Sequence, residues 1–259
     1  MNHLQKVLLN ILSDIDELMR EYNVRYFLDG GSALGAIRHH GFIPWDDDID
    51  IIVLPEDKEK FNFVCRNFLD KQKYTFVEAH KDWPFFMSKI KLNGTKIEEI
   101  DAYPEENQGI FIDVFYFDYA RKSQIGKFWQ FLCGRLFVSM LLTYKPYTTT
   151  SILKKIAISS ARIFRLKPLK RWLFIQVRGQ KKSSELSAVW DRTRFKWSNY
   201  FVPTTFFDEV KYVEFENTKF PVCKEYHKYL TKMYGDYMKL PPENERCALH
   251  ALNVDFGKY

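Results

Sequence analysis

The segment Gly41-Phe-Ile-Pro-Trp-Asp-Asp-Asp-Ile-Asp50 places four carboxylates within five residues, beside Ile and Trp. Like charges held this close repel and raise one another's pKa unless a cation neutralises them. A divalent metal is the natural partner, and an oxygen-only donor set selects Mg²⁺ (or Mn²⁺) over zinc. If the segment is extended, Asp46, Asp48 and Asp50 share one face and Asp47 takes the other, because side chains alternate along extended backbone. A calcium loop starting at Asp46 fails on its letters: Ile51 stands where the sharp turn needs Gly, and Asp57 where the loop prefers Glu. Helix capping or a charged turn explains one or two of these aspartates, not four adjoining an apolar strand.

Upstream, Gly30-Gly31-Ser32 ends sixteen positions before Asp48. At a strand-to-helix turn, glycines let the backbone approach a ligand, and the helix N-terminus offers N–H groups and a partial positive charge. That suits a phosphate, although Gly-Gly-Ser alone is more often a plain turn. Downstream, Asp113 is the one charge in Ile110-Phe-Ile-Asp-Val-Phe115, where burial without a partner is costly. Asp48, Asp50 and Asp113 on neighbouring strands would make a three-carboxylate metal site. Around it, Arg38 could reach phosphate as a bidentate donor or stay solvated on a short helix. Lys89 and Lys91 alternate with Ser88 and Ile90, so one strand face points at the donor or at solvent. His39 and His40 carry no comparable signal, and Trp45 packs to stiffen the acidic turn.

The elements that must hold these residues follow from periodicity. Leu4, Val7, Leu8, Ile11, Leu12, Ile15, Leu18 and Met19 form one helical stripe, which predicts a docking helix and not an export signal. Short strands are expected at Arg25–Leu28, Ile49–Val53, Tyr74–Glu78, Phe85–Leu92, Lys96–Glu99 and Ile110–Phe117. Helices are expected over Ala33–His39 and from Pro55 to about Leu69. Val202–Asn217 reads as extended, Cys223–Tyr234 as helical and Gly235–Tyr259 as irregular. The fold class is α/β (α+β): a small mixed sheet flanked by helices.

The run Leu28-Asp-Gly-Gly-Ser-Ala-Leu-Gly-Ala-Ile-Arg-His-His-Gly-Phe-Ile-Pro-Trp-Asp-Asp-Asp-Ile-Asp50 resembles the LicD family, which also embraces the fukutin-like proteins. More broadly, the glycine turn, Asp-x-Asp and a later carboxylate are similar to the polymerase-β type of nucleotidyltransferase fold. Gly109-Ile-Phe-Ile-Asp-Val-Phe115 and the tail Tyr234-Gly-Asp-Tyr-Met-Lys-Leu-Pro-Pro-Glu243, with Arg246 and His250, are also similar to that family. The resemblance implies transfer of a phospho-alcohol, such as phosphocholine, from a CDP-activated donor to a hydroxyl of a cell-surface glycan or its lipid-linked precursor. CMP would leave. On this reading Asp48 and Asp50 hold the metal, and Asp113 completes the metal site or accepts the hydroxyl proton. Gly30, Gly31, Ser32, Arg38, Lys89 and His250 would contact the donor. Other readings are a nucleotidyltransferase using a nucleoside triphosphate, a glycosyltransferase using Asp-x-Asp, and a non-catalytic metal- or membrane-binding regulator.

The chain has 259 residues, 46% of them hydrophobic and 17% aromatic, which excludes intrinsic disorder. Its four cysteines, Cys65, Cys133, Cys223 and Cys247, include no close pair, so neither a zinc site nor a disulfide framework is indicated. The net charge of +6 conceals a division: between Arg121 and Ser184 there are fifteen Lys or Arg and no Asp or Glu, against 24 basic and 33 acidic residues elsewhere. Three parts are therefore expected: a nucleotidyltransferase-like catalytic core over 1–120, a basic amphipathic helical insertion over 121–184, and a segment over 185–259 that returns to the core. Phe128–Leu142 is about 15 residues and is interrupted by Arg135, short of the roughly 20 apolar residues of a span. The insertion's bulky apolar residues favour an anionic membrane surface over nucleic acid, with packing on the core as the plain alternative. A cytoplasmic protein, peripheral at the inner face of the membrane, is expected.

Overall fold

The N-terminal stripe forms helix α1 (His3–Glu21), started by a capping box in which Asn2 and Gln5 satisfy each other's backbone N–H groups. Of the predicted stripe, Leu4, Val7, Leu8, Ile11, Leu12, Ile15 and Met19 are buried and Leu18 partly so; Leu9, outside the stripe, is buried with them against the central sheet. The computed structural model describes residues 1–78, 87–99, 109–142, 167–178, 180–189, 197–246 and 251–259.

Six strands follow in the first half of the chain: β1 (Phe27–Leu28), β2 (Asp50–Val53), β3 (Tyr74–Val77), β4 (Ser88–Leu92), β5 (Lys96–Glu99) and β6 (Phe111–Tyr116). Five of them form a mixed sheet in the order β1-β2-β6-β4-β3, in which β2 and β6 run parallel and the other pairs antiparallel. Helices α2 (Gly30–His39) and α3 (Lys58–Phe68) lie between its early strands.

The sheet divides two cores. Ile51, Val53, Ile112, Val114 and Tyr116 join α1 and α3 in the first. Ile52, Leu54 and Phe117, from the alternate face, join Phe27 in the second. That second core is completed by α4 (Gln124–Leu142) and α5 (Lys167–Val177), through Cys133, Phe137, Val138, Met140, Leu173 and Val177. A small sheet of β7 (Asp118–Tyr119), β8 (Glu185–Ser187) and β9 (Phe201–Pro203) adds Leu186 and Val202. The basic segment thus contributes two described helices that wall the same side of the sheet. Residues 143–166 lie outside the described residues.

The C-terminal third departs from the sequence reading in three places. The extended run at Val202–Asn217 is broken by a 3-10 turn at Thr204–Phe207 and resumes as β10 (Val210–Phe215), which turns back into β11 (Thr218–Cys223). Cys223 therefore ends a strand, and helix α6 begins only at Tyr226 and runs to Tyr234. Phe215, Phe220 and Val222 all reach the first core from this hairpin, so tertiary packing sets its length. The tail read as irregular ends in β12 (Ala251–Asp255), which pairs antiparallel with β5. Pairing across about 150 residues leaves no local periodicity to read.

Candidate active site

Asp29 is the extended N-cap of α2, and its backbone N–H donates to Asp50 O at 3.0 Å. In the other direction, Asp50 N–H donates to Ser32 Oγ at 2.9 Å. These two bonds fasten the first turn of α2 to the start of β2. Gly30 takes φ +54°, and a Cβ there would lie 2.7 Å from Asp50 Oδ2; a Cβ on Gly31 would lie 2.6 Å from Asp46 Oδ2. The glycines are needed because two of the protein's own carboxylates sit where side chains would project. Both carboxylates thereby lie against the N-terminal end of α2, the end that favours negative charge.

The parallel register of β2 and β6 sets Asp50 beside Asp113, and the antiparallel register of β4 sets Lys89 opposite Asp113. Lys89, only 2% exposed, holds its Nζ 3.6 Å from Asp113 Oδ1 and 3.4 Å from the centre of the Phe111 ring. A buried ammonium held by a carboxylate and a ring face is a fixed cation at the edge of an acidic cluster.

Burial alternates along the acidic turn, with Asp46, Asp48 and Asp50 half-buried and Asp47 and Ile49 buried, but Asp47 is not set apart on an opposite face as full extension would have it. A carboxylate oxygen from each of Asp46, Asp47 and Asp48 lies within 4.8 Å of the others. Asp47 Oδ2 accepts the Ala251 N–H at 2.7 Å, which ties the turn to β12. From the other side, the buried Gln5 of α1 donates through Nε2 to Asp46 O at 2.9 Å and Ile43 O at 3.3 Å. Desolvation, with the Asp48 charge next, pushes the Asp46 carboxyl up to about 8. Asp50 is likewise raised well above the ordinary carboxylate range, first by desolvation and then by Asp48, Asp113, Asp29 and Asp46. Acids that raise one another's pKa inside an oxygen-only site fit a hard divalent cation; the carboxylate oxygens close enough together to share one are those of Asp46, Asp47 and Asp48, with Asp50 and Asp113 adding their charge beside them.

Asp50, Asp113, Lys89, Gly30, Gly31 and Ser32 are thus brought together around the start of β2, with Asp48 two residues away in the chain. Arg38 stands apart. Eight residues on from Gly30, it is about 12 Å further along the helix axis. Its Nη1 donates to Tyr237 O at 2.9 Å and Lys239 O at 3.4 Å, bracing the tail. His250 lies outside the described residues. Trp45 sits under Arg246, whose guanidinium carbon is 5.7 Å from its ring centre, and edge-on to His39 at 6.3 Å.

Two contributors escaped the sequence reading. Asp29 is buried, accepts a short hydrogen bond from Tyr229 Oη and adds to the charge around Asp50. Its signal was its type and place, an N-cap residue directly before the glycines. Tyr229 had no signal, because it comes from α6, 200 residues further on.

A family model described as LicD/FKTN/FKRP, nucleotidyltransferase domain, matches residues 23–142, a span that includes every described residue of this cluster except Gln5, Tyr229 and Ala251. The chain is 30% identical over 255 residues to the lipopolysaccharide cholinephosphotransferase LicD of Haemophilus influenzae, covering 95% of this chain and 94% of that one. A shorter stretch of 61 residues is 39% identical to an uncharacterized protein of Rickettsia typhi, 24% of this chain and 20% of that one. Over 34 residues it is 59% identical to the human ribitol 5-phosphate transferase FKRP, 13% of this chain and 7% of that one.

Proposed function

The chain belongs to the LicD family, and we propose that it moves a phospho-alcohol, such as phosphocholine, from a CDP-activated donor to a hydroxyl of a cell-surface glycan or its lipid-linked precursor. The observation that carries this reading is the pairing of Asp50 with Asp113 in parallel register, beneath a glycine turn shaped around the acidic residues. Two relatives named as transferases of phosphate-bearing alcohols support it.

In the reaction, the acceptor hydroxyl oxygen attacks the phosphorus that carries the alcohol. The bond from that phosphorus to the bridging oxygen breaks, and CMP leaves with the electron pair. The hydroxyl proton passes to a carboxylate of the cluster. Mg²⁺ or Mn²⁺, held by Asp48, Asp50 and Asp113, would supply neutralisation of the donor diphosphate. Lys89 holds Asp113 in place and keeps a positive charge at the site's inner edge. Ser32 and Asp29 fix the backbone of Asp50, so the carboxylate is aimed before substrate arrives. The working location is the cytoplasmic face of a membrane, where a soluble nucleotide donor can meet a lipid-linked acceptor.

A second reading, transfer of a nucleoside monophosphate from a nucleoside triphosphate, is favoured by the nucleotidyltransferase description of the matched domain. One assay separates the two. The protein is incubated with Mg²⁺, a glycan acceptor and either CDP-alcohols or nucleoside triphosphates, and CMP and pyrophosphate are measured. CMP release that stops on chelation supports the first reading, pyrophosphate release the second, and release of neither sinks both.

A further inference from the structure

Helix α4 carries two apolar stripes. Cys133, Phe137, Val138 and Met140 are buried in the second core. Ile125, Phe128, Trp129, Leu132 and Leu136 recur at helical spacing on the outer side, with Ile125 84% and Phe128 58% exposed. Helix α5 extends this outer stripe with Trp172 and with Ile175, which is 64% exposed. The two helices are joined across it: Trp129 meets Trp172 edge to face with ring centres 5.9 Å apart, and Trp129 Nε1 donates to Gln176 Oε1 at 3.1 Å. Trp197 continues the surface, 6.2 Å from Phe128. A continuous exposed patch of large aliphatic and aromatic side chains marks an interaction surface.

Its charge identifies the occupant. The patch belongs to the segment with fifteen basic and no acidic residues; Arg171 is exposed on α5, and Lys122, Lys181 and Lys182 are exposed in the chain just before α4 and just after α5. A second copy of the chain would bring two basic rims together. A nucleic acid would leave Ile125, Leu132, Leu136 and Ile175 with nothing apolar to meet. A bilayer with acidic headgroups satisfies both sides: phosphates for the basic rim, acyl chains for the aliphatics, and the headgroup level for the tryptophans. Among the described residues no helix is long and apolar enough to cross a membrane, so α4 and α5 would lie along the interface.

We propose that the outer stripe of α4, together with Trp172 and Ile175 of α5 and with Trp197, docks the protein on an anionic bilayer surface. The consequence for the site rests on the function proposed above. Asp50 and Asp113 share the sheet face of Ile52 and Phe117, which α4 and α5 cover. Docking therefore brings the carboxylates to within one or two helix diameters of the headgroups, about 10–20 Å, the depth at which a lipid-linked hydroxyl is presented.

The test is sedimentation of the full chain with phosphatidylcholine vesicles and with vesicles that also contain phosphatidylglycerol. The expected result is binding to the anionic vesicles, release by salt, and quenching of tryptophan emission by brominated lipid. Ile125→Glu with Ile175→Glu, both at exposed positions, should weaken binding at least about tenfold, while Ile125→Leu with Ile175→Leu should bind as the wild type does. Wild-type protein left in the supernatant, a glutamate double variant that binds unchanged, or a wild-type dimer that the glutamates dissociate would each overturn the proposal. The two readings fail separately. Metal-dependent CMP release with a soluble acceptor should be unchanged in the glutamate double variant, and loss of docking with CMP release intact leaves the transferase standing.

Discussion

Asp50 and Asp113 lie on the sheet face that the α4–α5 wall covers, and the acidic turn and the basic wall differ in how they hold their charge. At the turn, Asp29, Asp46, Asp48, Asp50 and Asp113 are wholly or partly buried, and Asp46 and Asp50 are desolvated enough to lie well above the ordinary carboxylate range. On the wall, the buried Lys127 and Arg178 are paired with Glu185 and Asp118, while Arg171 and, just outside the two helices, Lys122, Lys181 and Lys182 stand exposed in solvent. Desolvated like charges store repulsion that only a compact, correctly placed counterion relieves; solvated ones are screened within about 10 Å and ask only for a diffuse surface of opposite sign. The first arrangement suits the small ion proposed for the site, and the second the extended surface proposed for the wall.

That contrast breaks most decisively at Asp50. Asp50→Asn should lower CMP release by roughly a thousandfold or more while leaving vesicle binding unchanged; near-normal turnover would remove Asp50 from the chemistry. Gly30→Ala probes the same geometry without touching a charge. Its Cβ would have to share space with Asp50 Oδ2, at a position with φ +54°. Turnover should fall about a hundredfold and stability by about 1–3 kcal/mol, read from product formation and urea unfolding.

The wall answers to a different substitution. Gly134 faces Val189, and a Cβ there would lie 2.6 Å from Val189 Cγ2. Gly134→Ala should cost about 1–3 kcal/mol by overpacking, with turnover on a soluble acceptor largely retained. A collapse of turnover would mean that the wall shapes the site directly.

The smallest effect expected is on pH and stability. Asp46, at 3.8 unfolded and about 8 folded, favours the folded state below about pH 4, and that contribution is lost as the pH rises toward 8. In chelator the melting temperature should therefore fall by a few degrees between pH 5 and 8, and Mg²⁺ or Mn²⁺ should raise it more at pH 8 than at pH 5. A metal effect equal at both pH values would separate the carboxylate repulsion from metal binding.

Legibility followed locality. Asp48 and Asp50 stood out as part of four carboxylates within five residues, Asp113 as the one charge in an apolar run, and α1 because its stripe repeats over nineteen residues. The glycines were readable as a turn, but their reason was not: they clear space for Asp50 and Asp46, a fact set by β2 meeting α2. Arg38 carries an ambiguous local signal, and the fold spends its guanidinium on the carbonyls of Tyr237 and Lys239. The β10–β11 hairpin and β12 were misjudged because their strands are fixed by partners far along the chain.

By itself the sequence determined the chemistry available: an oxygen-rich cluster on a glycine turn, an α/β frame, and the segregation of basic from acidic residues. These are properties of neighbours in the chain, where spacing and side-chain period decide the outcome. Only the tertiary structure decided which acids share one site, that Lys89 is buried against Asp113, that Tyr229 reaches Asp29, and which stripe of α4 is buried. The physical reason is that burial and register arise from pairing between distant segments, and an α4 with apolar residues on both sides gives no local sign of which one the core will take.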